Sequence, residues 1–394
     1  MLEAAESNCL TSNRIYLDYN ASAPLLPEAR AAMVAALDIS ANPSSVHADG
    51  RAARRLVEQA RREVATLAGA RPEHVVFTSG ASEAASMLLT PGWKMGRSHL
   101  RMARLIVSAT EHPCVLGGGR FASETVTTVG VDCNGVIDLA ALEHALSDHD
   151  SADGLALVAI HAANNETGVI QPVDEIARLA KTYGAVLVVD AVQAFGRIPI
   201  DISYGWGNFL ILSSHKIGGP KGAGAVVAVS DLMMPAALVT GGGQEKGHRA
   251  GTENVAAIAG FGAAAASTRL AETAEVRMMR DAVERFIVEL APDAIIFGSS
   301  VNRLCNTVLF AIPGMKAETA QIAFDLAGIS LSAGSACSSG KVGPSHVLKA
   351  MGHGGLEGAL RVSMGRDTSE TELAAFRAAL GSHLARRSAS AAAA

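Results

Sequence analysis

Residues 208–222, NFLILSSHKIGGPKG, combine a buried strand with the constrained loop that follows it. The apolar run at 208–212 predicts the strand, and the Gly-Gly-Pro sequence at 218–220 stops a strand or helix from continuing. Lys216 therefore lies just past the end of a strand. Most lysines in loops are simply solvated. The alternative is that this loop holds the amine of Lys216 in one place for chemistry.

The composition of the chain predicts an α/β enzyme. Of its 394 residues, 49% are apolar and 18% are charged, which allows a large buried core and two or three domains. The 39 glycines suit the tight turns between strands and helices in such folds. The formal net charge is −5 and no block of Lys or Arg stands out, so nucleic-acid binding is not indicated.

The sequence indicates neither secretion nor membrane insertion. The N-terminus is acidic and lacks the apolar segment of a secretion signal. The apolar stretch at 255–267 is too short to span a bilayer and predicts a buried helix. The five cysteines have irregular spacing and no CxxC pair, which fits neither a disulfide framework nor a zinc site. We therefore expect a cytoplasmic protein.

Hydrophobic patterning divides the chain into two parts. In the first part, apolar runs alternate with helical patterns, as in a sheet covered by helices. From about residue 264, helices at 272–290 and 317–326 and strands at 304–310 and 360–365 predict a smaller α+β domain. The strands predicted in the first part are 75–78, 105–107, 125–129, 155–160, 186–190, 208–212 and 223–229, and the helices are 27–37, 50–67, 84–89, 139–146 and 174–183.

Asp190 is the second residue that suggests chemistry. Four apolar residues lead to this carboxylate at the end of a predicted strand, where it is either a helix N-cap or a charge partner. The protonated ring nitrogen of pyridoxal phosphate needs an anionic neighbour of this kind. Strand ends on one edge of an α/β sheet are where ligands bind. Our hypothesis is that Lys216 forms a Schiff base with pyridoxal phosphate.

Three further strands end in polar groups. The turn at 79–83 before a helix can bind an anion through its backbone N–H groups, although an ordinary N-cap is at least as common. His112 follows a second strand and is either a core histidine or a side chain that stacks on a planar ring. Asn164 and Asn165 follow a third strand, where burying a side-chain amide costs free energy unless the amide forms hydrogen bonds.

The later chain adds three candidate features. The glycine-rich loop at 241–254 costs entropy to order, which indicates that it lines a site or a subunit contact. Cys337 has only small or polar neighbours, which predicts an exposed thiol that is either reactive or incidental. Arg361 lies in a short apolar strand, where it suits bidentate binding of a substrate carboxylate.

Together these residues resemble the NifS/IscS-type cysteine desulfurases, within the class V aminotransferases. The resemblance extends over nearly the whole chain, from 16–18 to 361–363. Any one motif is weak, but many motifs in the same order are specific. The matching stretches are 42–47 (NPSSVH), 77–83 (FTSGASE), 111–113 (EHP), 164–168 (NNETG), 190–194 (DAVQA), 214–216 (SHK), 242–245 (GGQE), 249–254 (RAGTEN) and 334–337 (GSAC).

The resemblance implies the fold of the pyridoxal-phosphate-dependent transferases of type I. A large domain at 15–263 would contain a mainly parallel, seven-stranded sheet flanked by helices and would bind the cofactor. A smaller α+β domain, formed by 1–14 and 264–394, would carry the loop of the catalytic cysteine. The chain departs from the family pattern after Glu83 and after Cys337, where less usual residues stand at 84–86 and 341–344.

The resemblance also implies a role for each candidate residue. The catalytic residues would be Cys337, Lys216 and His112, and Arg361 with Asn42 would bind the substrate carboxylate. Asp190 would pair with the ring nitrogen of the cofactor and Gln193 with its ring hydroxyl. The cofactor, pyridoxal 5′-phosphate, would be bound by Ala81, Ser82, His112, Asn165, Asp190, Gln193, Ser213, His215, Lys216 and, from the partner subunit of a homodimer, Thr252.

The reaction that the resemblance implies is the removal of sulfur from L-cysteine. Cys337 would take the sulfur as a persulfide, L-alanine would be released, and the sulfur would pass to an iron–sulfur scaffold or another acceptor protein. No resident metal is implied, although Cys337 could ligate an iron–sulfur cluster during transfer. The alternatives are a selenocysteine lyase, another class V enzyme, and a non-catalytic scaffold partner with the same fold.

Overall fold

The computed structural model describes residues 14–333 and 345–392, and these residues form an α/β structure with three sheets. The strands are β1 (Ile15–Tyr16), β2 (Val75–Thr78), β3 (Gly92–Met95), β4 (Ser98–Ser108), β5 (Val126–Val129), β6 (Leu155–His161), β7 (Val186–Asp190), β8 (Phe209–Ser213), β9 (Gly224–Ala228), β10 (Met233–Pro235), β11 (Ile295–Ile296), β12 (Thr307–Ala311), β13 (Ile329–Ser330), β14 (Ser332–Ala333) and β15 (Leu360–Ser363).

Several of the helices begin and end at residues that favour helix boundaries. The helix α2 starts after His47, whose ring accepts from the N–H of Gly50, and it ends before Gly69, which has a φ of 64°. The helices are α1 (Pro27–Leu37), α2 (Ala48–Ala68), α3 (Ala81–Leu88), α4 (Pro113–Leu116), α5 (Leu139–Ser147), α6 (Val173–Thr182), α7 (Val255–Ala266), α8 (Thr273–Leu290), α9 (Ala317–Leu326), α10 (His346–Ala350) and α11 (Glu370–Ala392).

The largest sheet is built from the first part of the chain. Its strand order is β10-β3-β4-β6-β7-β8-β9-β2, and β5 pairs with the second half of β4. The neighbours from β5 through β4, β6 and β7 to β8 are parallel, whereas β9 runs antiparallel between β8 and β2. Seven of its nine strands are those predicted from the sequence, and these seven are mainly parallel, as expected. The predicted number of seven strands is wrong, because β3 and β10 extend the sheet beyond β4 by antiparallel pairing.

Both faces of this sheet are covered, so its central strands are buried on both sides. Alternate residues of β6 show this directly. Val158 packs in one apolar cluster with residues of α2, α5, α6 and α7, and Leu157 packs in a second cluster with Trp93 and residues of α3 and α4. The continuous apolar runs of the predicted strands are therefore explained by burial on two faces.

Helix α7 is buried, as predicted, and packs against both α1 and α2. Its glycines permit this close approach. A Cβ on Gly260 would lie 2.6 Å from Cγ of Met33 in α1, and a Cβ on Gly262 would lie 2.4 Å from Cα of Ala60 in α2. Any side chain at either position would push the helices apart.

The later part of the chain forms a second, antiparallel sheet with the order β11-β12-β15-β14. It packs with α8, α9 and α11 through an apolar cluster of its own, and Leu17, next to β1, joins that cluster. This smaller α+β unit agrees with the predicted change of pattern. The domain boundary at residue 263, which lies within α7, stays a prediction.

The bounds of α1, β2 and β7 agree with the sequence predictions, but the region from Gly92 to Arg104 was predicted incompletely. Strand β4 begins at Ser98 rather than at residue 105, and β3 and β10 were not predicted at all. For β3 and the start of β4, the reason is that they form a ribbon whose residues are largely exposed, with Trp93 as the buried exception. Such a ribbon lacks the apolar run that identifies a buried strand. Strand β10 is only three residues long and ends in a proline.

A buried ion pair anchors the glycine-rich loop at 241–254. Glu245 and Lys246 have positive φ angles, 47° and 55°, which cost a non-glycine residue about 1 kcal/mol or more. The Glu245 carboxylate accepts two hydrogen bonds from Arg61, at 2.7 and 2.8 Å, and one from the N–H of Phe77 at 2.9 Å. These contacts fix the loop to α2 and β2.

Glu245→Ala should lower the free energy of unfolding by about 3 kcal/mol or more, because it leaves the buried Arg61 guanidinium without its carboxylate. Urea denaturation measures this loss. The control is Glu289→Ala, which removes one member of the exposed Arg377–Glu289 pair and should have a much smaller effect. Similar losses in the two variants would contradict the anchoring role of Glu245.

Candidate active site

Polar residues at the carboxyl ends of the central strands meet in a cavity of about 510 Å³. His161 ends β6, Asp190 ends β7 and Ser213 ends β8. These strands are parallel, so their carboxyl ends lie along the same edge of the sheet. The predicted site residues that line the cavity are Ala81, Ser82, His112, Asn165, Asp190, Gln193, Ser213, His215 and Lys216.

Lys216 ends a single helical turn, Ser214–Lys216, that follows β8 directly. Its Nζ donates hydrogen bonds to the carbonyl oxygens of Asn20 and Ala21, the second at 2.9 Å. Gly218 then turns the chain with a φ of 81°, at a position where a Cβ would lie 2.6 Å from Cγ of Leu26. The half-buried amine is therefore held at the cavity, and it is not a simply solvated lysine.

Asp190 is a buried carboxylic acid with an altered pKa. Burial raises the pKa of Asp190 to about 6, and the Glu111 carboxylate acts in the same direction. The N–H of Val192, which donates to Asp190 Oδ1 at 3.0 Å, opposes this change, as do the charges of His161 and Lys216. A cation placed in the cavity would stabilise the ionised carboxylate.

A buried ion pair of Glu111 and His161 lies beside Asp190. His161 is the register partner of Asp190 across β6 and β7, and its Nδ1 lies 2.6 Å from Glu111 Oε1. Burial alone lowers the pKa of His161, but the Glu111 and Asp190 carboxylates outweigh burial and raise it above its ordinary value. Neither residue was predicted from the sequence as part of the site, although Glu111 stands in the EHP motif.

His112 is an uncharged imidazole. Burial, with the charges of Lys216 and His346, lowers the pKa of His112 to about 4. Its Nδ1 accepts the N–H of Cys114 at 3.2 Å and lies 3.0 Å from Cys114 Sγ, so the ring proton is on Nε2. Burial raises the pKa of the Cys114 thiol to about 12, and this thiol also lines the cavity. Cys114 was not predicted from the sequence as a site residue.

Another part of the cavity suits an anion. Residues 79–82 line it where α3 begins, and the residue at the N-cap, Gly80, has no side chain to cap the first turn. Lys221, which was not predicted, also lines the cavity. Burial, Lys216 and Lys221 lower the pKa of His215 to about 4. A bound phosphate would counteract these positive charges and favour protonation of His215.

Four predicted site residues are not among those lining the cavity. The guanidinium of Arg361 is buried next to it, where it donates to the carbonyl oxygen of Asn165 at 2.9 Å and pairs with Asp18 at 2.7 Å. Asn42 and Thr252 are exposed in loops. Cys337 lies outside the described residues.

Within 14–333 and 345–392, no group of three or more His, Cys, Asp or Glu side chains could hold a metal ion. No helix in these ranges is long and apolar enough to cross a membrane.

Comparison with known proteins shows the family of the chain. The sequence matches the aminotransferase class-V family over residues 15–376. The chain belongs to the class V aminotransferases. A cysteine desulfurase from Frankia sp. strain EuIK1 is 40% identical over 379 residues, which cover 91% of this chain and 88% of that protein. The resemblance to the cysteine desulfurases that was recognised in the sequence is thereby confirmed.

Solved structures of related proteins confirm the fold. The NifS-like protein from Rickettsia africae is 34% identical and superimposes with a TM-score of 0.84, covering 93% of this chain and 98% of that one. A structure of SspA in complex with cysteine is 28% identical, with a TM-score of 0.73 and a coverage of 89% of this chain and 98% of that one. Class V aminotransferases are pyridoxal-phosphate-dependent enzymes.

The cavity residues fit pyridoxal phosphate. The volume of the cavity lies in the range of small-ligand sites. Lys216 offers an amine, Asp190 offers a buried carboxylate whose high pKa a cationic ring would lower, and the start of α3 with Ser82 and His215 offers donors for a phosphate. This donor set matches the three polar parts of the cofactor: its aldehyde, its ring nitrogen and its phosphate.

Asp190→Asn should stabilise the cofactor-free protein at neutral pH. The folded-state pKa of Asp190, about 6, lies above its ordinary value of 3.8, so ionising this carboxyl costs the folded protein up to about 3 kcal/mol. The asparagine keeps the acceptor for the N–H of Val192. The gain in melting temperature should be complete above about pH 7 and should disappear as the pH falls towards 4.

Thermal melts across this pH range check the prediction. Asp293→Asn, at an exposed position, controls for the loss of one carboxylate. A gain for Asp190→Asn that did not change with pH would show that desolvation of the Asp190 charge is not its cause.

Proposed function

We propose that this protein is a cysteine desulfurase that converts L-cysteine into L-alanine and enzyme-bound sulfur with the help of pyridoxal 5′-phosphate. The observation that carries the proposal is the cavity in which Lys216, Asp190 and His112 meet, in a chain 40% identical to a cysteine desulfurase. The cysteine bound in the SspA structure supports the class of substrate.

The cofactor would be held mainly by residues of the cavity. Lys216 would bond to its aldehyde, Asp190 would face its ring nitrogen, Gln193 its ring hydroxyl and His112 the face of the ring, with Asn165 as a further contact. The bound cofactor supplies an electron sink that stabilises negative charge on the substrate carbon. The residues proposed for the phosphate are Ala81, Ser82, Ser213 and His215, with Thr252 from the partner subunit of a homodimer.

The remaining residues would bind the substrate and move protons. Arg361, with Asn42, would bind the carboxylate of L-cysteine, for which a buried guanidinium next to the cavity is suited. The amine of Lys216 would take the proton from the substrate Cα. His112 is uncharged and has its proton on Nε2, so it can stack on the ring without adding a positive charge.

Cys337 would determine that the reaction is a desulfuration. The sulfur of Cys337 would bond to Sγ of L-cysteine while the Cβ–Sγ bond of the substrate breaks. The substrate sulfur then remains on Cys337 as the outer atom of a persulfide. The rest of the substrate takes up one proton at Cβ, regains the Cα proton from Lys216, and leaves as L-alanine. This role rests on the sequence resemblance and on the small, polar neighbours of Cys337.

The proposal includes the partners and the setting of the enzyme. The sulfur would pass to a scaffold for iron–sulfur cluster assembly or to another acceptor protein, and Cys337 could ligate the cluster during transfer. The enzyme would act as a cytoplasmic homodimer without nucleic-acid or membrane partners. The large domain would comprise 15–263 and the small domain 1–14 with 264–394.

Two alternatives differ from this proposal in what they predict. A selenocysteine lyase would release selenium from L-selenocysteine and leave L-cysteine nearly untouched. A non-catalytic scaffold partner would release neither alanine nor sulfide. Comparing alanine release from L-cysteine and from L-selenocysteine separates all three.

The protein supplied with pyridoxal phosphate should show a visible absorption band and should release alanine and, with a thiol reductant, sulfide from L-cysteine. Cys337→Ala should keep the band and lose at least about 99% of sulfide release, because the nucleophile is absent. Cys133→Ala is the matched control at an exposed cysteine and should keep full activity. A colourless protein would refute the cofactor, and an active Cys337→Ala variant would refute the nucleophile.

Arg361→Lys should raise the KM for L-cysteine by about tenfold or more, because an ammonium cannot form two parallel hydrogen bonds with the substrate carboxylate. The turnover number should change less than the KM. Steady-state kinetics measure both, with Arg377→Lys as the control at an exposed arginine. An unchanged KM would remove Arg361 from the substrate site.

A further inference from the structure

Asn20 is a buried residue of the segment between β1 and α1, and its contacts extend to both parts of the proposed site. Only 1% of it is exposed. Its carbonyl oxygen accepts hydrogen bonds from Nζ of Lys216 and, at 3.0 Å, from Nε2 of Gln193. One backbone atom thus fixes the amine proposed to bond to the cofactor and the amide proposed for the ring hydroxyl.

The side chain of Asn20 belongs to a closed ring of hydrogen bonds with Asn306 and Thr307, at the start of β12 in the small sheet. Its Nδ2 donates to Oγ1 of Thr307 at 2.9 Å, Thr307 donates to Oδ1 of Asn306 at 2.9 Å, and Nδ2 of Asn306 donates back to Oδ1 of Asn20 at 3.0 Å. All three residues are buried, with at most 3% exposure. A fully satisfied buried ring permits one orientation of each amide.

The same Nδ2 of Asn20 also reaches the proposed substrate arginine. It donates to the carbonyl oxygen of Asn165 at 3.2 Å, and this oxygen accepts Nη1 of Arg361 at 2.9 Å. Asn20 and Arg361 therefore share one acceptor. In addition, the N–H of Asn20 donates to Oγ of Ser363, two residues after Arg361 in β15.

We propose that Asn20 is a positioning residue that holds Lys216 and Arg361 in one fixed geometry, so that the bound cofactor and the carboxylate of the substrate are aligned. This inference rests on the proposed function. The physical reason is that Lys216 follows a strand of the large sheet and Arg361 lies in a strand of the small one. Their relative position depends on contacts between the two, and small misplacements of reacting groups cost large factors in rate.

The matched control for Asn20 is another member of the hydrogen-bonded ring. Asn20→Ala and Thr307→Val each break the ring and should lower the melting temperature of the cofactor-free protein. Only Asn20→Ala removes all three side-chain hydrogen bonds of residue 20, including the donor to Asn165. The backbone carbonyl that accepts Lys216 remains in this variant, but the side chain no longer anchors it. Its KM for L-cysteine should rise by about tenfold, against less than about twofold for Thr307→Val. The pH at which the visible band changes should move in Asn20→Ala alone.

Three outcomes are distinguishable. A shifted KM and band pH in Asn20→Ala but not in Thr307→Val supports the inference. Equal effects in the two variants would reduce Asn20 to a structural residue and overturn it while leaving the proposed function intact. A wild-type protein without the band or without alanine release refutes the proposed function, and the positioning role then falls with it. If Asn20→Ala does not fold, Asn20→Asp, which keeps the size and loses the Nδ2 donor, replaces it.

Discussion

The buried carboxylate of Asp190 is the constraint on which the site depends. It ends β7, which lies between β6 and β8 in the large sheet. Burial raises the pKa of Asp190 to about 6. A charge in such a place is costly unless cations lie nearby. His161 and Lys216 both lower this cost, and a cationic ring would lower it further. Binding of a cofactor with a cationic ring would therefore lower the free-energy cost of burying the ionised Asp190 carboxylate.

The segment from Asp18 to Ala21 connects this constraint to the second sheet. Asp18 pairs with Arg361, and the carbonyl oxygens of Asn20 and Ala21 receive the amine of Lys216. A short stretch without regular structure thus touches both charged groups that the proposed chemistry needs. Tyr19 and Asn20 at its centre are buried, so the backbone groups there are available as fixed partners for side chains.

The sequence predicted the parts of the molecule that depend on local pattern. The seven strands were found because they are rich in apolar or β-branched residues. Lys216 and Asp190 were placed together because the ends of parallel strands meet at one edge. The exposed ribbon of β3 was missed because it has no apolar run. Asn20 was missed because its partners Asn306 and Thr307 are nearly three hundred residues away in the sequence.

Taken by itself, the sequence determined the family, the order of seven strands of the large sheet along the chain, and the residue types at the strand ends. The tertiary structure alone decided which distant groups, such as Asn20 and His161, contact those residues, and in what protonation state the residues lie. His112 is uncharged and Asp190 has a high pKa because of burial and of charges contributed by distant segments. Desolvation and Coulomb interactions act through space, so no local pattern of residues encodes them.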